Sequence, residues 1–73
     1  MTLNELKLNE TGFVKDINCS DTVKRRLLDL GLIPNTQITP LFISPSGDPT
    51  AFAIRGSVIA IRVEDTRLID IYT

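Results

Sequence analysis

Short runs in which apolar and polar residues alternate account for most of this chain, and that period of two predicts β-strands. The alternation favours five strands, separated by turns rich in Gly, Pro and Asn. The predicted strands are residues 13–17, 37–44, 50–55, 58–63 and 68–72. Pro40 lies within the second strand and has no N–H to donate, so we expect a sheet edge or a bulge there. Small all-β domains of this kind remove exposed edges by curling into a barrel.

One segment has the period of an α-helix instead. Ser20 or Asp21 can cap a helix that runs to about residue 30, and Gly31 follows where a left-handed residue commonly ends a helix. At about 100° per residue, three apolar positions form one stripe that we predict to be buried: Val23, Leu27 and Leu30. Leu28 lies off this stripe, so we expect it to face outward.

Turns join these elements, and glycine and proline mark most of them. The residues that we expect to shape the turns are Gly31, Gly47, Asp48, Pro49 and Gly56. Asp48 has a side chain suited to hydrogen-bond the backbone of its own turn. Residues 56–57 are expected to form a two-residue hairpin. Thr2 and Glu5 have the spacing of a capping box for one helical turn, and residues 64–67 can form another.

Length, charge and residue inventory narrow the classes of function. The chain has 73 residues, so we expect one small domain that spans 1–73. Eight Lys and Arg residues against nine Asp and Glu residues give a formal net charge of −1, which argues against a nucleic-acid binder. Histidine is absent and Cys19 is the one cysteine, which excludes an internal disulfide and a His/Cys zinc site. We therefore expect no metal site, no cofactor and, since no base accompanies a nucleophile in a recognised pattern, no enzymatic activity.

Neither a membrane span nor a signal peptide is visible in the pattern. Apolar runs such as residues 58–61 are far shorter than the roughly 20 residues that a spanning helix needs. The first residues lack a basic start followed by an apolar core. We therefore expect a cytoplasmic protein that does not insert into the membrane.

Two stretches are candidates for contact with another protein, and each has a plainer alternative. Lys24, Arg25 and Arg26 fan around the predicted helix, and with Leu28 they form either a docking surface or an ordinary solvated face. Four small apolar residues are predicted on the outward faces of two paired strands, as a contact patch or as a surface covered by the helix or the N-terminal turn. They are Ala51, Ala53, Val58 and Ala60.

Cys19 directly precedes the predicted helix and its cap. A thiol at a helix N-terminus has a lowered pKa, which suits a nucleophile or a ligand for a soft metal. The alternative is that Cys19 acts as a small, partly buried apolar residue.

Taken in order, several segments of the chain resemble the FeoA family, the small cytosolic proteins of bacterial ferrous iron transport. The resemblance covers nearly the whole chain. Its segments are residues 2–6 (TLNEL), residues 25–32 (RRLLDLGL) followed by Pro34, then Gly47-Asp48-Pro49, Arg55-Gly56, and residues 59–62 (IAIR). Asn35 stands where the family commonly has glycine, and asparagine can take the same left-handed conformation.

The resemblance implies a mainly β fold, a small SH3-like barrel of about five strands with one inserted α-helix. It also implies an accessory protein that docks on the cytosolic part of the FeoB membrane transporter and regulates iron uptake. The residues that we expect to bind the partner are Lys24, Arg25, Arg26, Leu28, Arg55 and Arg62.

Self-association of the chain stays open. The alternative function is a weak carrier or sensor of transition metals that uses Cys19 with carboxylates, although the absence of histidine disfavours it. Peptide recognition of the SH3 type is disfavoured because aromatic residues are few and Trp is absent.

Overall fold

The computed structural model describes residues 1–73, which form five antiparallel strands in one sheet with the spatial order β4-β3-β2-β1-β5. The strands are β1 (Gly12–Ile17), β2 (Gln37–Ile43), β3 (Thr50–Ile54), β4 (Ser57–Ile61) and β5 (Ile69–Tyr72). The helices are α1 (Asp21–Asp29) and the short α2 (Val63–Thr66), and a 3-10 turn spans Leu3–Glu5. All five predicted strands and both helical turns are confirmed. Neither α-helix is long and apolar enough to cross a membrane.

One hydrophobic core lies inside the curled sheet, and it draws on every strand, on α1 and on the N-terminal turn. The alternation of each strand turns one set of side chains inward, so Val14, Ile38 and Ile69 are fully buried. The complete cluster is Leu3, Leu6, Val14, Ile17, Cys19, Leu27, Leu32, Ile38, Phe52, Ile54, Ile61, Ile69 and Ile71. Because the two outermost strands, β4 and β5, both contribute to this cluster, the sheet curls around it as a barrel does, although β4 and β5 do not pair with each other.

Helix α1 begins as predicted but ends differently. Ser20 is the N-cap, and its Oγ accepts a hydrogen bond from the Val23 amide at 3.5 Å. The prediction that Leu30 is buried is wrong, since 47% of Leu30 is exposed and Leu32 is fully buried. The helix ends at Asp29, and Gly31 with a φ of 98° reverses the chain. The Leu32 amide then donates to the Leu27 carbonyl at 2.9 Å, which places Leu32 rather than Leu30 in the core.

The hairpin between β3 and β4 is offset by one residue from the prediction. Its turn is Arg55-Gly56, not residues 56–57, and both turn residues have left-handed φ angles of 50° and 81°. Such angles match the twist of the flanking strands in tight two-residue hairpins. β4 ends at Ile61 rather than at the predicted residue 63, because Val63 starts α2, where it is exposed.

Asp48 has a different role from the one predicted. Its Oδ1 accepts a hydrogen bond from the Val63 amide at 3.0 Å, so the carboxylate holds the first turn of α2 rather than its own turn. Carboxylates are favoured at this end of a helix because the first amides have no partner within the helix. Gly47 and Pro49 lie in the turn between β2 and β3, as expected.

The bulge predicted at Pro40 is present. The register of β2 against β3 shifts between Pro40 and Phe42, and the carbonyl of Pro40 accepts from the Asn9 amide at 2.7 Å. The extra residue changes the phase of the strand, so Phe42 pairs with Ala51 on the outer face and is 58% exposed. Asn35 has a φ of 70°, which confirms its left-handed conformation.

Candidate protein-docking surface

Three of the predicted partner-binding residues lie together on one flank of α1. Lys24, Arg25 and Leu28 line a shallow hollow of about 280 Å³, together with Asp21 and Asp29. Leu28 is 37% exposed, which confirms that it lies off the buried stripe. The hollow therefore offers one accessible leucine surrounded by side chains of both charge signs.

Arg26 lies on the opposite flank, because successive helical residues are about 100° apart around the axis. It shares a separate cleft of about 290 Å³ with Arg62, Glu64 and Asp65. Arg62 Nη1 lies 3.7 Å from Glu64 Oε1, and the two side chains are 72% and 70% exposed. Such an open ion pair contributes little because water and salt compete with it. The structure thus divides the predicted basic group between two surfaces.

Arg55 lies beside the C-terminal end of α1. A Cβ atom at Gly31 would come within 3.1 Å of Arg55 Cδ, so this glycine serves both the left-handed turn and the close approach of the arginine. A cation near a helix C-terminus interacts favourably with the partial negative charge there. Arg26 thus shares a cleft with Arg62, which follows β4, and Gly31 lies close to Arg55, which precedes β4.

The four small apolar residues of β3 and β4 share the outer face, as predicted. Ala51 pairs with Ala60, and Ala53 pairs with Val58. Val58 is 62% exposed and Ala60 is exposed, whereas Ala53 is half-buried and Ala51 is buried. The exposed Phe42 beside Ala51 extends this apolar face, and only the register shift at the bulge places it there.

An apolar cleft of about 380 Å³ lies where the N-terminal turn meets β2 and α2. Its rim carries the exposed side chains of Leu8, Ile43 and Val63, and Lys7 is its one charged lining residue. Sequence reasoning missed this cleft because its walls come from four segments of the chain, which are the N-terminal turn, β2, the start of β3 with its preceding turn, and α2. No local pattern signals such a meeting.

Cys19 is buried, and its Sγ donates a hydrogen bond to the Asp65 carbonyl at 3.6 Å. Burial, with a smaller contribution from the charge of Asp65, raises the pKa of the Cys19 thiol. The hypothesis of an activated thiol is therefore wrong, and Cys19 acts as a small apolar residue of the core. No three Cys, Asp or Glu side chains come together in an arrangement that could hold a metal ion.

Comparison with known proteins agrees with this architecture. The sequence model of the FeoA domain matches residues 1–72. A relative from Campylobacter jejuni, described as an Fe(2+) transport protein A, is 27% identical over 71 residues, which are 97% of this chain and 96% of the relative. The solution structure of the FeoA protein from Chlorobium tepidum has a TM-score of 0.94 at 30% identity, over 99% of this chain and 69% of that chain.

A crystal structure of FeoA from Stenotrophomonas maltophilia, solved with zinc and described as a prokaryotic SH3 domain protein, also has this fold. It has a TM-score of 0.84 at 24% identity and covers 97% of this chain and 88% of that chain. The five-stranded barrel is accordingly SH3-like, as expected.

Proposed function

Because the chain belongs to the FeoA domain family, which is associated with ferrous iron transport, we propose that it docks on the cytosolic part of a FeoB-type membrane transporter and regulates it. Its site of action is then the cytoplasm. The proposed docking residues are Lys24, Arg25, Arg26, Leu28, Arg55 and Arg62. The molecule acts by contact rather than by catalysis.

The observation that carries this proposal is Leu28 and its surroundings. An exposed leucine gains from burial in a partner, and the cations Lys24 and Arg25 beside the carboxylates Asp21 and Asp29 require a partner surface that also carries both charge signs. Full burial of a leucine is worth about 1.5–3 kcal/mol. Since 37% of Leu28 remains to be covered, docking gains about 1 kcal/mol at most from this side chain. Several such residues are needed for a stable complex, which suits a regulated contact.

The state of the Cys19 thiol does not support the alternative function, a carrier of transition metals. Cys19 is buried, hydrogen-bonded and held in its protonated form by the raised pKa, whereas a metal ligand must be a thiolate.

The test is a binding titration of the purified chain with the cytosolic portion of the cognate transporter, with and without guanine nucleotide. We expect saturable binding that Leu28→Ala weakens about fivefold, since about 1 kcal/mol corresponds to that factor. Leu68→Ala is the matched control, because Leu68 is 44% exposed and lies outside the α1 hollow. Absence of binding in every nucleotide state overturns the proposed function, and equal effects of the two variants remove Leu28 from the docking surface.

A further inference from the structure

The two edge strands of the sheet, β4 and β5, differ in whether other residues of the chain hydrogen-bond to their outer side. The edge of β5 is covered by the N-terminal residues, since the Ile71 amide donates to the Met1 carbonyl at 2.8 Å and Thr2 forms a bridge with Asp70. At the other side of the sheet, β4 has β3 as its one strand neighbour. The molecule therefore has one open strand edge.

The free hydrogen-bonding groups of that edge belong to Val58 and Ala60. In a two-residue hairpin the residues that flank the turn, here Ile54 and Ser57, exchange hydrogen bonds, and every second pair after them does the same. The N–H and C=O groups of Val58 and Ala60 consequently point away from β3. None of the hydrogen bonds outside the β3–β4 ladder involves either residue. Both residues are exposed.

Strand β4 lacks the usual protection of an edge. Natural edge strands carry a charge, a proline or a bulge that discourages pairing with another chain. Ser57–Ile61 contains none of these residues, and its five pairs with β3 keep one register, whereas the pairings β1–β5 and β2–β3 both contain shifts. A regular, uncharged edge of this kind is suited to accept a further strand.

The surroundings give an added strand apolar neighbours on both of its faces. On the outer face are the exposed side chains of Val58 and Ala60. On the inner face is Ile59, which is half-buried and packs against the core as Val23 of α1 does. Cross-strand contacts of this type stabilise a strand pair beyond its backbone hydrogen bonds.

Charge at the ends of β4 favours one kind of occupant. Arg55 precedes the strand and Arg62 follows it, and both are exposed. If two copies paired antiparallel, with Val58 opposite Ala60, Arg62 of one copy would face residue 56 of the other and lie next to its Arg55. Like charges at such a distance disfavour self-pairing. A segment that carries carboxylates at its ends meets both arginines, and it can replace the weak contact of Arg62 with Glu64.

We propose that the β4 edge binds an extended segment of the partner as a sixth strand, and that this segment has apolar residues at its centre and acidic residues at its ends. This inference rests on the proposed function, since the partner is the cytosolic portion of the transporter. In this arrangement the outward N–H and C=O groups of Val58 and Ala60 bind the partner's backbone, in addition to the docking side chains proposed above.

The decisive variant is Ala60→Pro, which removes one outward N–H. The fold loses no hydrogen bond of its own, and proline is tolerated at the free side of an edge strand. Ala60→Val keeps the N–H and is the matched control. We expect Ala60→Pro to bind the transporter's cytosolic portion about tenfold more weakly than Ala60→Val does, because only the proline variant lacks the outward N–H. Unfolding curves of both variants verify that the fold is retained.

Hydrogen exchange on the wild-type chain gives an independent measurement that needs no variant. In the complex, the amides of Val58 and Ala60 are expected to exchange much more slowly than in the free chain. A charge test uses Arg62→Gln, which should weaken binding and reduce its salt dependence, against Lys15→Gln, an exposed cation on β1.

The outcomes separate the two proposals. If the wild-type chain does not bind, the proposed function fails and this inference falls with it. If it binds, but Ala60→Pro binds equally well or the two amides stay unprotected, only the strand-addition site is refuted. A dimer of the free chain that Ala60→Pro dissociates in sedimentation also refutes it, because the occupant is then a second copy.

Discussion

Two alanine variants can test the finding that Leu32, and not Leu30, packs in the core. Replacing leucine by alanine removes three carbon atoms, which is worth about 2.4 kcal/mol at about 0.8 kcal/mol for each buried carbon. Leu32 is fully buried, so the loss is complete and the cavity left behind raises it to about 3–5 kcal/mol. Leu30 is 47% exposed, so Leu30→Ala should cost about 1.3 kcal/mol with no cavity.

The assay is chemical denaturation of the wild type and both variants, followed by circular dichroism. A core of this size rarely supplies more than about 3–5 kcal/mol of net stability. Leu32→Ala is therefore expected to be largely unfolded without denaturant, and Leu30→Ala to unfold in a normal cooperative transition at a lower midpoint. Equal destabilisation by the two substitutions would refute the reasoning, because it would mean that α1 continues through Leu30 and that the Gly31 reversal does not deliver Leu32 to the core.

Three further predictions concern α1, the start of α2 and the buried thiol. Leu27→Ala should lower the free energy of unfolding by about 2–5 kcal/mol and Leu28→Ala by less than about 1.5 kcal/mol, as measured in urea; a comparable loss would place Leu28 in the core. Asp48→Ala should cost about 1 kcal/mol through loss of the hydrogen bond to the Val63 amide, whereas unchanged thermal unfolding would show that water satisfies this amide equally well. Because burial raises the pKa of the Cys19 thiol above the usual 9.0, the folded state favours the neutral thiol; stability from this group is complete below pH 9.0 and decreases as the pH rises through the folded-state pKa. Denaturation curves between pH 7 and 10.5 should show this decrease in the wild type and not in Cys19→Ala, and an identical pH dependence of the two proteins would contradict it.

Much of the barrel could be predicted from the sequence because strands and helix caps are local patterns. The inward positions of Phe52, Ile54 and Ile71 follow from alternation, and the start of α1 follows from Ser20. The family resemblance supplied the topology and the associated transport process. These are properties that the residue pattern by itself does not specify.

The errors lie where one residue changes the phase of everything after it. The reversal at Gly31 places Leu32 in the core instead of Leu30, and the hairpin turn lies one residue earlier than predicted, at Arg55-Gly56. The end of β4 depends on Asp48, a side chain from another turn that binds the Val63 amide. Alternation carries no information about such distant contacts.

The order of strands in the sheet also has a consequence for the route by which the chain folds. The central meander β2–β3–β4 joins segments that are close in sequence, so its loops close at small entropic cost. β1 instead finds its second partner in β5, with Ile17 opposite Ile69, after most of the chain has intervened. Contacts of such long range slow folding, and during synthesis they wait until the last strand has left the ribosome. Until β5 is present, Met1 and Thr2 have no strand to bind, so β5 brings these residues and β1 into the native arrangement together.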